Sequence, residues 1–79
     1  MKKSNEKISY IVASDVNPRD GIGVEIYLNN ECELSLEIFR DDSLRRTYLK
    51  VYKENIDIET VEESIKIFRN ENLGNYIVR

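Results

Sequence analysis

The apolar residues of this chain keep one period up to about residue 53 and another beyond it, and that switch constrains the fold more than any other feature. From Lys7 to Lys53 they recur at every second position, the period of a strand with one face toward a core. Lys7 to Ala13 reads as a first strand in which Ile8, Tyr10 and Val12 alternate with Ser9, Ile11 and Ala13, so both faces carry apolar groups. Ile22 to Leu28 is a second, with Val24, Ile26 and Leu28 opposite Glu25 and Tyr27. Cys32 to Arg40 is a third, with Cys32, Leu34, Leu36 and Ile38 opposite Glu33, Ser35, Glu37 and Phe39. Arg45 to Lys53 is a fourth, with Thr47, Leu49 and Val51 opposite Arg46, Tyr48, Lys50 and Tyr52. Turn signals separate them: Asp15 to Gly21 around Pro18, where Gly21 accepts positive φ, then Asn29-Asn30, then Asp41-Asp42-Ser43.

Beyond Asp57 the period becomes 3.6. Asp57 is a plausible N-cap, and Glu59, Glu62 and Glu63 lie where a helix dipole favours negative charge. Ile58, Val61, Ile65 and Phe68 form the stripe expected to face the core, which leaves Ile67 pointing outward. Leu73-Gly74 reads as a C-cap with Gly74 left-handed, and Tyr76 to Arg79 as an apolar extended tail. The expected fold is α+β: a four-stranded antiparallel meander with one C-terminal helix packed on one face and a short extended C-terminal tail. It makes a single domain over 1–79, with 1–6 expected to be disordered.

The inventory narrows the chemistry. There is no histidine, and Cys32 is the only cysteine. That removes the commonest general base and metal ligand, any intrachain disulfide and any cysteine-rich zinc site. Three glycines cannot supply a phosphate-cradling loop or a dinucleotide fingerprint. Asp15, Asn17 and Asp20 suggest a calcium loop, but Ile26 stands where its last glutamate should be, so the segment reads as a turn. The expectation is a protein that is not an enzyme and carries no cofactor or metal. No apolar run approaches the ~20 residues of a membrane span, and the basic start is not followed by a signal-type apolar segment, so a cytoplasmic protein is expected. Twelve Lys and Arg against fifteen Asp and Glu give a net charge of -3. A chain of 79 residues without disulfides has a small core, and self-association is a natural way to extend it.

Three features are not used up by that core. By parity the second sheet face gathers Tyr27, Phe39, Tyr48 and Tyr52 among Glu25, Glu33, Glu37, Arg46 and Lys50. Such a face either meets solvent, held by cross-strand pairs, or forms a contact surface whose rings supply rigid area. Ile67 with Tyr76, Ile77 and Val78 suggests that the outer helix face and the tail meet a second copy of the chain. The charged hairpin around Arg40, Arg45 and Arg46 is either a soluble turn with internal ion pairs or a grip for a phosphate or a partner carboxylate. The candidate ligand set is therefore Arg40, Arg45, Arg46, Tyr27, Phe39, Tyr48 and Tyr52; the candidate oligomer interface is Ile67, Tyr76, Ile77 and Val78.

Four strands followed by one helix is similar in element order to the whirly-like transcriptional coactivators, a resemblance that implies a dimer binding single-stranded nucleic acid. It also implies a basic groove, whereas this chain is acidic and parity puts Glu25, Glu33 and Glu37 on the face required, so nucleic acid is disfavoured. The segments Gly21-Ile22-Gly23-Val24-Glu25-Ile26-Tyr27 and Glu37-Ile38-Phe39-Arg40-Asp41-Asp42 resemble those of small bacterial and phage proteins. The expected function is that of a non-enzymatic binding or inhibitory protein acting as a small homo-oligomer, pictured as a dimer, in bacterial–phage conflict. It would sequester a small phosphorylated signal such as a nucleotide or block a protein partner. The alternative is a single-stranded nucleic-acid-binding module using the aromatic sheet face.

Overall fold

The computed structural model describes residues 7–15 and 20–73. Strands β1 (Ile8–Asp15), β2 (Gly21–Leu28), β3 (Leu36–Asp41) and β4 (Arg46–Val51) form one open antiparallel sheet in sequence order, followed by helix α1 (Ile58–Asn70). This is the α+β meander that the change of period predicts. Gly74, Tyr76, Ile77 and Val78 lie outside the described residues, as do 1–6 and 16–19.

The turns follow local chemistry. Asn29 and Asn30 are both left-handed, with φ of 56° and 61°, and the Glu31 N–H donates to Leu28 O at 3.0 Å. This tight turn has the handedness that suits a twisted hairpin, and asparagine tolerates it. The third strand does not start at Cys32 as the alternation suggests. Cys32 to Leu34 leave the ladder, and pairing resumes where the Ser35 N–H donates to Ile26 O at 2.9 Å. Alternation records which way side chains point; it does not record whether a neighbouring strand is there to pair with. Gly21 also differs from expectation, because no described glycine has positive φ. Its need is space: a Cβ at Gly21 would collide with the Arg40 carbonyl oxygen, and one at Gly23 with that of Ile38.

The helix starts after Asp57 and ends in a Schellman arrangement. Asn72 is left-handed at φ 59°, its N–H donates to Arg69 O at 3.0 Å, and the Leu73 N–H donates to Phe68 O at 3.4 Å. Phe68 and Leu73 then share the core cluster with Val24, Ile26, Leu28, Leu36 and Ile38. The left-handed position is thus taken by Asn72, two residues before Gly74.

The helix is rotated relative to the expected stripe. Thr60, Ser64 and Phe68 are buried, with Val61 and Ile67 packed alongside the core. Ile67 therefore does not point outward. Ile58 and Ile65 do, at 68% and 38% exposure. Small side chains at Thr60 and Ser64 let the helix approach the sheet, and the Ser64 hydroxyl is satisfied by donating to Thr60 O at 2.7 Å. Rotating the helix toward Ile67 keeps Phe68 in the core and exposes Ile58 and Ile65 on its far flank.

Candidate binding surface

The registers place residues in rows across the sheet. On the helix side the rows run Val12–Val24–Ile38–Leu49 and Tyr10–Ile26–Leu36–Val51. The helix packs on β2 and β3. A helix is about 10 Å across and strands lie about 4.8 Å apart, so one helix covers about two strands. The outer members of each row stay exposed as a result: Tyr10 and Val12 on β1, Leu49 and Val51 on β4. Leu49 and Val51, at 44% and 49% exposure, share the face of the core residues of β2 and β3 but stay outside the core. The signal that could have found them was present: a meander puts its last strand at an edge, beyond the reach of one helix.

Between β4 and α1 this leaves a groove of about 300 Å³. Ile38 and Phe68 lie within it, with Leu49 and Ile65 among its walls and Thr47 and Arg69 supplying polar groups. Val51 and Ile58 extend the exposed apolar surface of the same two elements.

The other sheet face has the rows Ala13–Gly23–Phe39–Tyr48, Ile11–Glu25–Glu37–Lys50 and Asp15–Gly21–Asp41–Arg46. No described element packs over it, yet Phe39 is only 1% exposed. Its ring comes close to Gly21, where a Cβ would stand 3.2 Å from ring atom Cε2, and the Tyr48 ring covers it at 6.0 Å between centroids, inclined at 51°. Two glycines without side chains thus let Phe39 lie close on the sheet itself. Glu37 and Asp41 are buried beside it. The Asp41 carboxylate accepts from the Leu44 N–H at 3.1 Å, which shapes the turn into β4.

The seven candidate ligand residues do not converge. Arg40 projects to the helix side and is buried: Nη1 donates to Leu73 O at 3.1 Å, and Nη2 donates to Asp42 Oδ2 at 3.2 Å. Its Nε lies 2.8 Å from Asp42 Oδ1, an ion-pair contact outside hydrogen-bond geometry. This arginine ties the end of the helix to the β3–β4 turn and is not placed to grip an outside anion, a correction to its expected role. Arg45 is exposed in the turn with φ 50°. Phe39 is too deeply covered to stack on a base. Tyr27 is half-buried and its hydroxyl donates to Glu25 Oε1 at 3.2 Å; burial, then the Glu25 charge and that hydrogen bond, raise its pKa.

What the structure does assemble is a row along β4 and just past it. The Arg46 guanidinium lies 5.2 Å from the Tyr48 ring centroid, and the Lys50 ammonium lies 5.2 Å from that of Tyr52. Cation and ring alternate twice on one face, an attraction by the ring quadrupole. Lys50 was not among the candidate ligands, although its parity with Tyr48 and Tyr52 was visible. Among the described residues no group of three or more His, Cys, Asp and Glu is arranged to hold a metal ion, and no helix is long and apolar enough to cross a membrane.

No family model, curated protein or solved structure matches this chain.

Proposed function

We propose that this chain is a non-enzymatic binding protein that acts as a small homo-oligomer and occludes a protein partner. The observation that carries this reading is the bare apolar surface of Leu49, Val51, Ile58 and Ile65 around the β4–α1 groove. A small domain gains by covering such an area. The engagement of Arg40 and the burial of Phe39 take away two groups that a small phosphorylated ligand would have used, which favours the protein-partner form. Light scattering over a dilution series tests the assembly. The wild-type chain is expected to associate and Leu49→Ser to run as a folded monomer; a wild-type monomer at millimolar concentration overturns the reading.

A second reading is supported by the charges of the other face. Glu37 is buried, and Glu33 lies off the sheet, so the face is less acidic to solvent than its parity suggests. Arg46 and Lys50 are exposed there, each beside a ring. Single-stranded nucleic acid would use such rings and cations, with affinity falling steeply as salt rises. Failure to retard a single-stranded oligonucleotide at low salt removes this reading.

A further inference from the structure

The geometry points to a specific assembly: β4 pairs antiparallel with β4 of a second copy, with Leu49 opposite the partner's Leu49. This rests on the homo-oligomer reading and adds the surface and the register. β4 is an edge strand of an open sheet and contains no proline. Edge strands of this kind are templates for pairing with another chain.

The direction of its backbone groups follows from one hydrogen bond. The Tyr52 N–H donates to Ser35 O on the β3 side at 2.9 Å. In an antiparallel ladder these directions alternate, so Tyr48 and Lys50 turn their backbone groups toward β3 while Leu49 and Val51 turn theirs toward the outer edge. A hydrogen-bonded pairing with a second copy must therefore match odd-numbered residues with odd-numbered ones.

Centring the pair on Thr47 or on Val51 would match three residues of β4 or fewer, and among the registers between them charge selects. Centring the pair on Tyr48 sets Arg46 opposite the partner's Lys50, and centring it on Lys50 sets two ammonium groups face to face. Like charges directly opposite are destabilising. Centring on Leu49 sets Lys50 opposite the partner's Tyr48 and Arg46 opposite the partner's Tyr52, so each cation remains beside its own ring and gains one from the copy. The same register sets Thr47 opposite the partner's Val51. The two-fold relation keeps both helices on one side of the joined sheet, where the Leu49 and Val51 surfaces of the two copies meet.

Cross-linking distinguishes this register from other contacts. A hydrogen-bonded antiparallel pair has Cα atoms about 5.5 Å apart, within disulfide reach. In a Cys32→Ser background, Leu49→Cys is expected to oxidise to a covalent dimer as the major product. Val51→Cys alone is expected to give little, and Thr47→Cys combined with Val51→Cys to restore cross-linking. Light scattering of each reduced variant reports assembly separately. A dimer in which Leu49→Cys fails to link, or in which Val51→Cys links equally well, overturns the register and leaves the homo-oligomer reading standing. A monomer throughout overturns both.

Discussion

The two faces of the sheet reverse what a layered fold leads one to expect. The face under the helix leaves Leu49 and Val51 about half exposed, whereas the face with no described layer over it holds Phe39 at 1% exposure. The difference has two causes. The helix is too narrow for four strands, so coverage on its side ends with β3. On the other side, Gly21 and Gly23 create room within the sheet, and Phe39 fills it under Tyr48. Burial here depends on the reach of a neighbouring element in one case and on missing side chains in the other.

Truncation tests this reversal most strongly. Phe39→Ala is expected to cost about 3–5 kcal/mol, as for a core phenylalanine. Leu49→Ala, measured on dilute monomer, is expected to stay within about 1 kcal/mol despite its place on the helix side. Urea denaturation of both variants checks this, and equal costs would break the comparison.

A pair of arginines sharpens it. Arg40 and Arg46 flank the same turn but project to opposite faces. Arg40→Met removes the partner of Asp42 and the bond to Leu73 O, and is expected to cost about 3 kcal/mol because a nearly buried carboxylate loses its cation. Arg46→Met loses an exposed contact with Tyr48, worth about 0.5–1 kcal/mol. Thermal melts at matched protein concentration, low enough to keep the chain monomeric, should show the first shift clearly exceeding the second.

The smallest effect concerns the β1 margin of the helix side. The Tyr10 hydroxyl donates to Glu71 Oε2 at 2.7 Å, linking β1 to the end of α1. That hydrogen bond, then the Glu71 charge and some desolvation, raise the Tyr10 pKa above the ordinary tyrosine value. A raised pKa in the folded state favours the protonated phenol, so its contribution is complete below the unfolded value and is lost as pH climbs through the folded one. Stability is thus expected to fall above about pH 10, the ordinary tyrosine value, and Tyr10→Phe to flatten part of that fall. Melts across alkaline pH check it; an unchanged profile would mean that the contact adds nothing.

The sequence made some site residues legible and hid others for a consistent reason. Tyr48, Lys50 and Tyr52 share a parity within one strand, and the structure keeps them on one face. Arg40 and Arg46 are separated by a turn, so their relation depended on how the hairpin closed. Ile67 and Ile65 are two positions apart on one helix. Their relative angle was known, but which of them faced the sheet was not, because Phe68 could be buried with the helix turned to either side.

By itself the sequence determined the order and type of the elements, the left-handed Asn29-Asn30 turn and the start of the helix at Asp57, since each follows from side-chain period or from a local backbone preference. Only the tertiary structure decided the rotation of α1, the inward course of Arg40, the covered ring of Phe39 and the bare edge of β4. Periodicity fixes angles within an element, whereas these outcomes depend on how one element sits against another and on how far it reaches.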